Sequence, residues 1–318
     1  MLTPTQREFF LNVRISIPVS RILAVAALVF CLSQNGLAAE PIRHTVMSDG
    51  HPLALWEKRA ASASEAILLV HGRTWSSLPD FDLQIEGEDL SLMDGLVEKG
   101  YAVYAIDLRG YGETPRDDSG WLTPSGAADD VIAALRFIAG EDDWHRAPHL
   151  FGWSMGSTIS QLAAQKAPES MSSLTLFGYW HDPDDRFPPD EPGIEPLRET
   201  NTAEAAASDF ITPGSISDVA VDGYVEAALA ADPIRVDVRS LEDYNALDPS
   251  LLRMPTLVIA GEFDPLAPSD NLAKLFTRIG SGRKQWVSVP NSDHAAFLEA
   301  PRDYFIHSLH AFIEGTGR

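Results

Sequence analysis

The chain has 318 residues, of which 45% are hydrophobic and 9% aromatic, and its formal net charge is −22. This much apolar material excludes an intrinsically disordered chain, whose hydrophobicity would be low. Nucleic-acid binding normally needs a basic surface, so the acidic balance argues against a DNA or RNA partner. The only cysteine, Cys31, excludes a disulfide framework within one chain and any cysteine-based metal site.

Segment 1–39 has the features of a secretory signal peptide. Three arginines precede an apolar run from Ile22 to Leu32, and small residues follow at the end. A basic, an apolar and a small-residue region in this order are typical of such peptides. The run is too short for a membrane-spanning helix, which needs roughly 20 residues. We expect cleavage after Ala38 or Ala39, a periplasmic or secreted protein, and no stable membrane anchor after processing; an uncleaved N-terminal helix is the alternative.

From residue 40 onward, apolar runs of strand length alternate with periodic segments of helix length. Thr123 before Pro124 predicts a helix start, and a second helix is predicted from Ser154 to Ala167. The run Ala66–Val70 has no polar residue, as expected for a strand buried on both faces of a parallel sheet. The alternation predicts an α/β fold with a doubly wound, mostly parallel, eight-stranded sheet. The predicted strands are Ile42–Met47, Pro52–Glu57, Ala66–His71, Ala102–Asp107, His149–Phe151, Ser173–Phe177, Thr256–Ala260 and Gln285–Val289.

Residues 179–253 interrupt this alternation. The stretch begins with several prolines, has helix-like segments near 202–210 and 217–231, and contains no obvious strand. We predict a mainly helical insertion above the sheet, between core parts 40–178 and 254–318. Between positions 179 and 210, acidic side chains far outnumber the two arginines, Arg186 and Arg198, which is typical of a solvated acidic surface.

Residues 152–156 read Gly-Trp-Ser-Met-Gly and match the pattern G-x-S-x-G. The pattern alone is weak, but here it follows a short apolar strand and opens a predicted helix. A nucleophilic serine needs that setting, because a strained strand-to-helix turn exposes its hydroxyl and the flanking glycines relieve crowding. The helix N-terminus also favours developing negative charge. Ser154 is therefore the predicted nucleophile.

A nucleophilic serine needs a base, and the base needs an acid to orient it. Asp264 comes directly after the buried strand Thr256–Ala260, and His294 lies in the loop after the last predicted strand. Both follow the carboxyl ends of strands, where parallel sheets bind ligands. The order Ser, Asp, His along the chain agrees with a triad assembled at one sheet edge.

These motifs resemble the α/β-hydrolase superfamily over nearly all of the sequence after residue 39, in its lid-bearing esterase and proline-iminopeptidase-like branch. The resemblance implies Ser154 as nucleophile, Asp264 as acid and His294 as base, and it places a lid at the predicted insertion. Leu-Val-His-Gly at 69–72 resembles the family's oxyanion strand and turn. The implied oxyanion hole is the backbone N–H of Met155 together with that of Arg73. Arg73 departs from the small or aromatic residue of many relatives, and its side chain points either to solvent or to a substrate carboxylate.

Other residues compete for some of these roles. Asp182, Asp184 and Asp185 follow the strand Ser173–Phe177, where some relatives take their triad acid; Asp264 is preferred because it follows a strong strand directly. Asp293, beside His294, is interpreted as shaping the loop.

A serine at this position implies acyl transfer to water, with esters or lactones as the expected substrates. An aminopeptidase of the proline-iminopeptidase type is the alternative, although the Gly-Gly-Pro-Gly stretch usual in that group is absent after His71. A non-catalytic binding protein on the same fold is a remote alternative. No metal or organic cofactor is expected, and the acidity of the insertion favours neutral or cationic small-molecule substrates. The aromatic side chains predicted to line the substrate pocket are those of Trp75, Trp153, Tyr179 and Trp180.

Overall fold

The computed structural model describes residues 40–142 and 144–317, so the predicted signal peptide and Cys31 lie outside the described residues. The strands are β1 Ile42–Ser48, β2 His51–Arg59, β3 Ala66–Val70, β4 Ala102–Ile106, β5 Trp121–Leu122, β6 His149–Trp153, β7 Ser173–Phe177, β8 Asp237–Val238, β9 Thr256–Gly261 and β10 Lys284–Val289. The α-helices are α1 Ser77–Phe81, α2 Leu92–Glu98, α3 Pro124–Glu141, α4 Met155–Lys166, α5 Ala203–Ala207, α6 Asp218–Ala231, α7 Ser269–Arg278 and α8 Arg302–Thr316. Short 3₁₀ turns cover Pro168–Ser170, Leu241–Ala246 and Pro249–Leu251.

Eight of the strands form one sheet in the order β1-β2-β4-β3-β6-β7-β9-β10. The β1–β2 and β2–β4 pairs are antiparallel, and every other pair in this sheet is parallel. All eight predicted strands and the predicted fold class are therefore confirmed.

The centre of the sheet is buried on both faces, as the unbroken apolar run of β3 predicts. Ala66, Leu68 and Val70 pack into one apolar cluster, beneath α3 and α4. Ile67 and Leu69 point to the other face, into a second cluster formed with α2 and α8. Successive residues of a strand point to opposite faces, so a strand covered by helices on both sides can be apolar throughout.

The two helices predicted on the first face begin where the sequence indicates. Thr123 precedes α3, and its hydroxyl accepts a hydrogen bond from the N–H of Gly126, while Pro124 fills the first helical position. Helix α4 starts at Met155, directly after Ser154, and ends before Pro168. This places Ser154 at the carboxyl end of β6, in the middle of the sheet.

The predicted insertion, 179–253, contains α5 and α6 but is less regular than expected. Residues 179–199 form neither helix nor strand. The expectation of no strand is wrong, because β8 pairs in parallel with β5 through Trp121–Asp237 and Leu122–Val238. Strands as short as these carry too little periodicity to be seen in a sequence. Among the described residues, no helix has the length and apolar character needed to cross a membrane.

Candidate functional site

Ser154 lies on a sharp turn between β6 and α4. Its backbone has φ 53° and ψ −119°, a region that non-glycine residues occupy only where the surroundings hold them there. The turn is held by a hydrogen bond of 2.9 Å from the Ser154 N–H to the Phe177 carbonyl on the neighbouring strand. A Cβ atom at Gly156 would overlap the carbonyl oxygen of Val70, so only glycine fits there. The local geometry is that of the serine turn that G-x-S-x-G predicts.

His294 and Asp264 are brought together at the same edge of the sheet. The Nδ1 atom of His294 is 2.8 Å from Oδ2 of Asp264. The other oxygen, Oδ1, accepts hydrogen bonds from the N–H groups of Leu266 and Ala267. Both side chains are buried, and Nε2 of His294 has no hydrogen-bond partner among the described residues. Asp264 therefore fixes the ring of His294 and leaves Nε2 available for another group.

The competing carboxylates have other partners. Asp182 accepts a hydrogen bond from Lys274 on α7, and Asp184 pairs with Lys274 and Arg278 at the surface. Of the acids considered in the sequence, Asp264 is the one that contacts His294. The geometry supports the preference for Asp264.

The loop after β3 is fixed by a buried histidine. The N–H of Leu108 donates to Nε2 of His71 at 3.1 Å, so Nδ1 carries the proton and donates to the Gly72 carbonyl at 2.8 Å. Burial lowers the pKa of His71 to about 4, which keeps it neutral. The Tyr111 hydroxyl donates to the carbonyl of Arg73. The backbone that carries the Arg73 N–H is thus held in place, while the Arg73 side chain is exposed.

A cavity of about 540 Å³ opens between this loop, Ser154 and the predicted insertion. Its size suits a small organic ligand, for which pockets of roughly 300–1,000 Å³ are usual. Trp75, Trp153 and Trp180 line it as predicted, whereas Tyr179 is fully buried and is not part of its lining. Tyr179 belongs to the apolar cluster beneath α3 and α4 instead. The predicted site residues that line the cavity are Arg73, Trp75, Trp153, Ser154, Met155, Trp180 and His294.

Two acidic residues that the sequence did not single out also line the cavity. Asp80 lies on α1 and Asp209 follows α5, and both interact with the Tyr224 hydroxyl, at 2.9 Å and 3.3 Å. Burial raises the pKa of Asp209 to about 6 and that of Asp80 well above its ordinary value. Oδ2 of Asp80 has no hydrogen-bond partner among the described residues. Asp209 falls in the run interpreted as solvated surface, and nothing in the sequence pairs it with the distant Asp80.

Within residues 40–142 and 144–317, no group of three or more His, Cys, Asp or Glu side chains is placed to hold a metal ion.

Comparisons with known proteins agree with this architecture. Residues 61–301 match the Hydrolase_4 family, described as serine aminopeptidase, S33. The rhodomycin D methylesterases DnrP of Streptomyces peucetius and DauP of Streptomyces sp. (strain C5) are each 33% identical to the chain. These alignments cover 42% and 39% of the chain and 41% and 38% of the relatives, so less than half of each relative's length is matched.

Solved structures give the same fold at lower identity. A thermophilic esterase from Thermogutta terrifontis has a TM-score of 0.60 and 20% identity, with 87% of this chain and 99% of that one covered. The serine hydrolase CarC, involved in carbazole degradation, has a TM-score of 0.59 and 18% identity, covering 86% and 99%. With the family match spanning more than half of the sequence, the chain belongs to the Hydrolase_4 family of α/β-hydrolase-fold proteins.

Proposed function

We propose that this protein hydrolyses carboxylic esters, lactones included, through an acyl-enzyme formed on Ser154. The observation that carries the proposal is the shared cavity. Ser154, on its strained turn, and His294, oriented by Asp264, both face the same space of about 540 Å³. The matched portions of the two methylesterases support an ester as the substrate class.

In the proposed reaction, the Ser154 oxygen attacks the ester carbonyl carbon while Nε2 of His294 takes the serine proton. The same proton then passes to the alkoxide as the C–O bond to the leaving group breaks. Water next attacks the acyl-enzyme, again giving its proton to His294, and Ser154 is regenerated with release of the acid. Asp264 stays ionised, holds the ring through Nδ1 and stabilises the imidazolium that forms.

The negative charge on the carbonyl oxygen needs donors that are already in place. Met155 is the first residue of α4, and the first N–H groups of a helix have no intrahelical acceptor. The Arg73 N–H lies on the loop held by His71 and Tyr111. We assign these two N–H groups to the oxyanion hole, where one donor is worth about 2.7–4 kcal/mol in the transition state.

The charge of the cavity favours neutral or cationic esters. The charge comes from Asp209 in the cavity wall, because its pKa of about 6 leaves it mostly ionised above neutral pH, whereas burial favours the neutral form of Asp80. An anionic substrate would have to approach Asp209 in a low-dielectric site. For a cationic ester, KM should rise with ionic strength because added salt screens the attraction. A KM independent of salt would argue against a charge contribution.

An aminopeptidase of the family's named type is the second candidate. It is favoured by Asp209 in the cavity wall, since the free amine next to a scissile amide would be attracted to this carboxylate. Hydrolysis of aminoacyl-p-nitroanilides faster than that of matched p-nitrophenyl esters would select it, because amines leave less readily than alkoxides.

We also propose that the protein is exported, as segment 1–39 indicates. Mass spectrometry of the protein from the periplasm or medium should give an N-terminus at residue 39 or 40. An intact N-terminus in the cytoplasm would contradict export.

The test of the activity is turnover of p-nitrophenyl acetate, butyrate and octanoate by the mature protein and by Ser154→Ala. We expect the substitution to abolish turnover and labelling by a fluorophosphonate, and the chain-length profile to give the size of the acyl site. Ser160→Ala is the matched control, because Ser160 is a buried serine of α4, the helix that Ser154 precedes, and has no hydrogen-bond partner among the described residues. Equal rates in Ser154→Ala and the unmodified protein, with no labelling of Ser154, would refute the proposal.

A further inference from the structure

The loop that carries His294 is bonded to a distant part of the chain through the residue before it. Asp293 is fully buried. Its Oδ2 atom accepts hydrogen bonds from the N–H groups of Ile211, at 3.1 Å, and Thr212, and its Oδ1 accepts from Ala295 at 3.3 Å. One carboxylate thus joins the loop that carries His294 to residues 211 and 212 of the predicted insertion.

A second buried carboxylate repeats this connection further along the loop. Glu299 accepts a hydrogen bond of 2.5 Å from the Ser215 hydroxyl and one of 2.9 Å from the Asp293 N–H. The N–H of Ala300 also donates to the Ser215 carbonyl at 2.6 Å. Glu299 therefore holds both the insertion and the Asp293 backbone.

Segment 211–215 depends on these acceptors. It lies between α5 and α6 and has no helix or strand of its own. The Ser215 N–H donates to the Thr212 carbonyl within the segment, whereas the N–H groups of Ile211 and Thr212 find their acceptor on Asp293. Two neighbouring buried carboxylates are costly, and burial together with the Asp293 charge raises the pKa of Glu299 to about 7. Because two neighbouring buried carboxylates cost free energy, their contribution to stability does not by itself explain them. This points to a role in positioning the groups that they join.

The two carboxylates hold a group of the proposed site on each side. On one side is His294, whose carbonyl also accepts a hydrogen bond of 2.7 Å from the Trp153 indole. On the other side is Asp209, which stands shortly before Ile211 in the cavity wall. The base and part of the wall are therefore held by the same two carboxylates.

We propose that Asp293 and Glu299 are positioning residues that fix His294 and segment 211–215 as one unit. The inference rests on the proposed function, because it takes His294 as the catalytic base. Neither carboxylate touches the substrate. Each acts through the position of His294 and of the wall that Asp209 completes.

The test uses variants that break or keep the hydrogen bonds. In Asp293→Asn, one amide NH₂ must face backbone N–H donors, because both oxygens of Asp293 accept from N–H groups. Glu299→Ala removes both bonds of Glu299. Glu299→Gln keeps them, since its oxygen can accept from the Asp293 N–H while its NH₂ donates to the Ser215 hydroxyl. Asp82→Asn is the matched control, a buried carboxylate with bonds to Lys58 and Ser91 and no place in the cavity lining.

We expect Asp293→Asn and Glu299→Ala to lower kcat at least tenfold and to raise KM for p-nitrophenyl butyrate, because a base displaced by ~1 Å can cost ~10²-fold. Glu299→Gln should restore most of kcat. Hydrogen–deuterium exchange should rise together at 211–215 and at 292–298 in the two damaged variants, while Asp82→Asn leaves kcat, KM and both segments unchanged.

Unchanged kcat and KM in Asp293→Asn and Glu299→Ala, with only a loss of stability like that of Asp82→Asn, would overturn the proposal. Faster exchange at 211–215 without a change at 292–298 would overturn it as well. Failure of the proposed function would look different, since the unmodified protein would then lack ester turnover and fluorophosphonate labelling. The exchange experiment judges the coupling of the two segments in either case.

Discussion

Gly178 offers a test of how tightly His294 is confined. It follows β7 with φ +58°, and a Cβ atom added there would lie 2.8 Å from Cε1 and 3.0 Å from Nδ1 of His294. Carbon atoms pack best at about 3.5–4.0 Å, so Gly178→Ala should push the imidazole by roughly 0.5–1 Å. A shift of that size costs about 10–100-fold in kcat when the displaced group is the catalytic base.

The substitution also strains the backbone, and Gly50→Ala separates the two effects. Gly50 lies between β1 and β2 with φ +76°, and nothing stands within 4 Å of a Cβ atom there. Both variants should lose about 1–2 kcal/mol of unfolding free energy, the usual cost of a side chain in the left-handed region. Only Gly178→Ala should also lose activity.

The measurements are urea unfolding and kcat for p-nitrophenyl butyrate, for both variants and the unmodified protein. If Gly178→Ala keeps kcat within twofold while losing as much stability as Gly50→Ala, the imidazole is not confined by this contact. A matching fall of kcat in Gly50→Ala would show that backbone strain alone is responsible, and the reasoning would fail.

Three further substitutions test other parts of the site. Asp264→Asn should lower kcat about 10³–10⁴-fold with little effect on folding, because an amide NH₂ facing Nδ1 favours the wrong tautomer of His294; a loss under tenfold would point to a different acid. Tyr111→Phe should lower kcat a few-fold and cost about 1 kcal/mol by freeing the Arg73 carbonyl; an unchanged kcat would remove Tyr111 from the oxyanion loop's support. Folded Glu299 has a pKa of about 7 against an ordinary 4.5, so it binds its proton more tightly than in the unfolded chain. Stability should therefore fall as pH rises from about 4.5 to about 7, and Glu299→Gln should reduce that slope in urea unfolding at pH 5, 6 and 7.5.

The sheet, the turn at Ser154 and the contact between Asp264 and His294 were predictable because their signals are local. The apolar run of β3, Thr123 before α3 and the glycines around Ser154 each constrain the backbone within a few residues. Parallel strands then bring their carboxyl ends to one edge, so Asp264 and His294 meet although 30 positions separate them.

The substrate side of the cavity was predictable only in part: Trp75, Trp153 and Trp180 line it as expected, but other contacts are made between segments that have no sequence pattern in common. Asp209 lies in the run interpreted as solvated surface, yet it lines the cavity and shares the Tyr224 hydroxyl with Asp80. Of the two neighbouring residues predicted for the pocket, Trp180 reaches the cavity and Tyr179 is buried in the core.

Segment 211–215 shows why the core could be predicted from the sequence better than the insertion. A helix satisfies its backbone within itself and a strand does so on its neighbours in the sheet, so both follow recognisable sequence patterns. In segment 211–215, by contrast, the N–H groups of Ile211 and Thr212 donate to Asp293, 82 positions from Ile211. Its path therefore depends on the loop that carries His294 as well as on its own residues. If His294 is the base, as proposed, Asp293 and Glu299 tie its position to the part of the cavity wall next to this segment. We then expect a substitution in segment 211–215 that breaks these hydrogen bonds to change substrate specificity and kcat together.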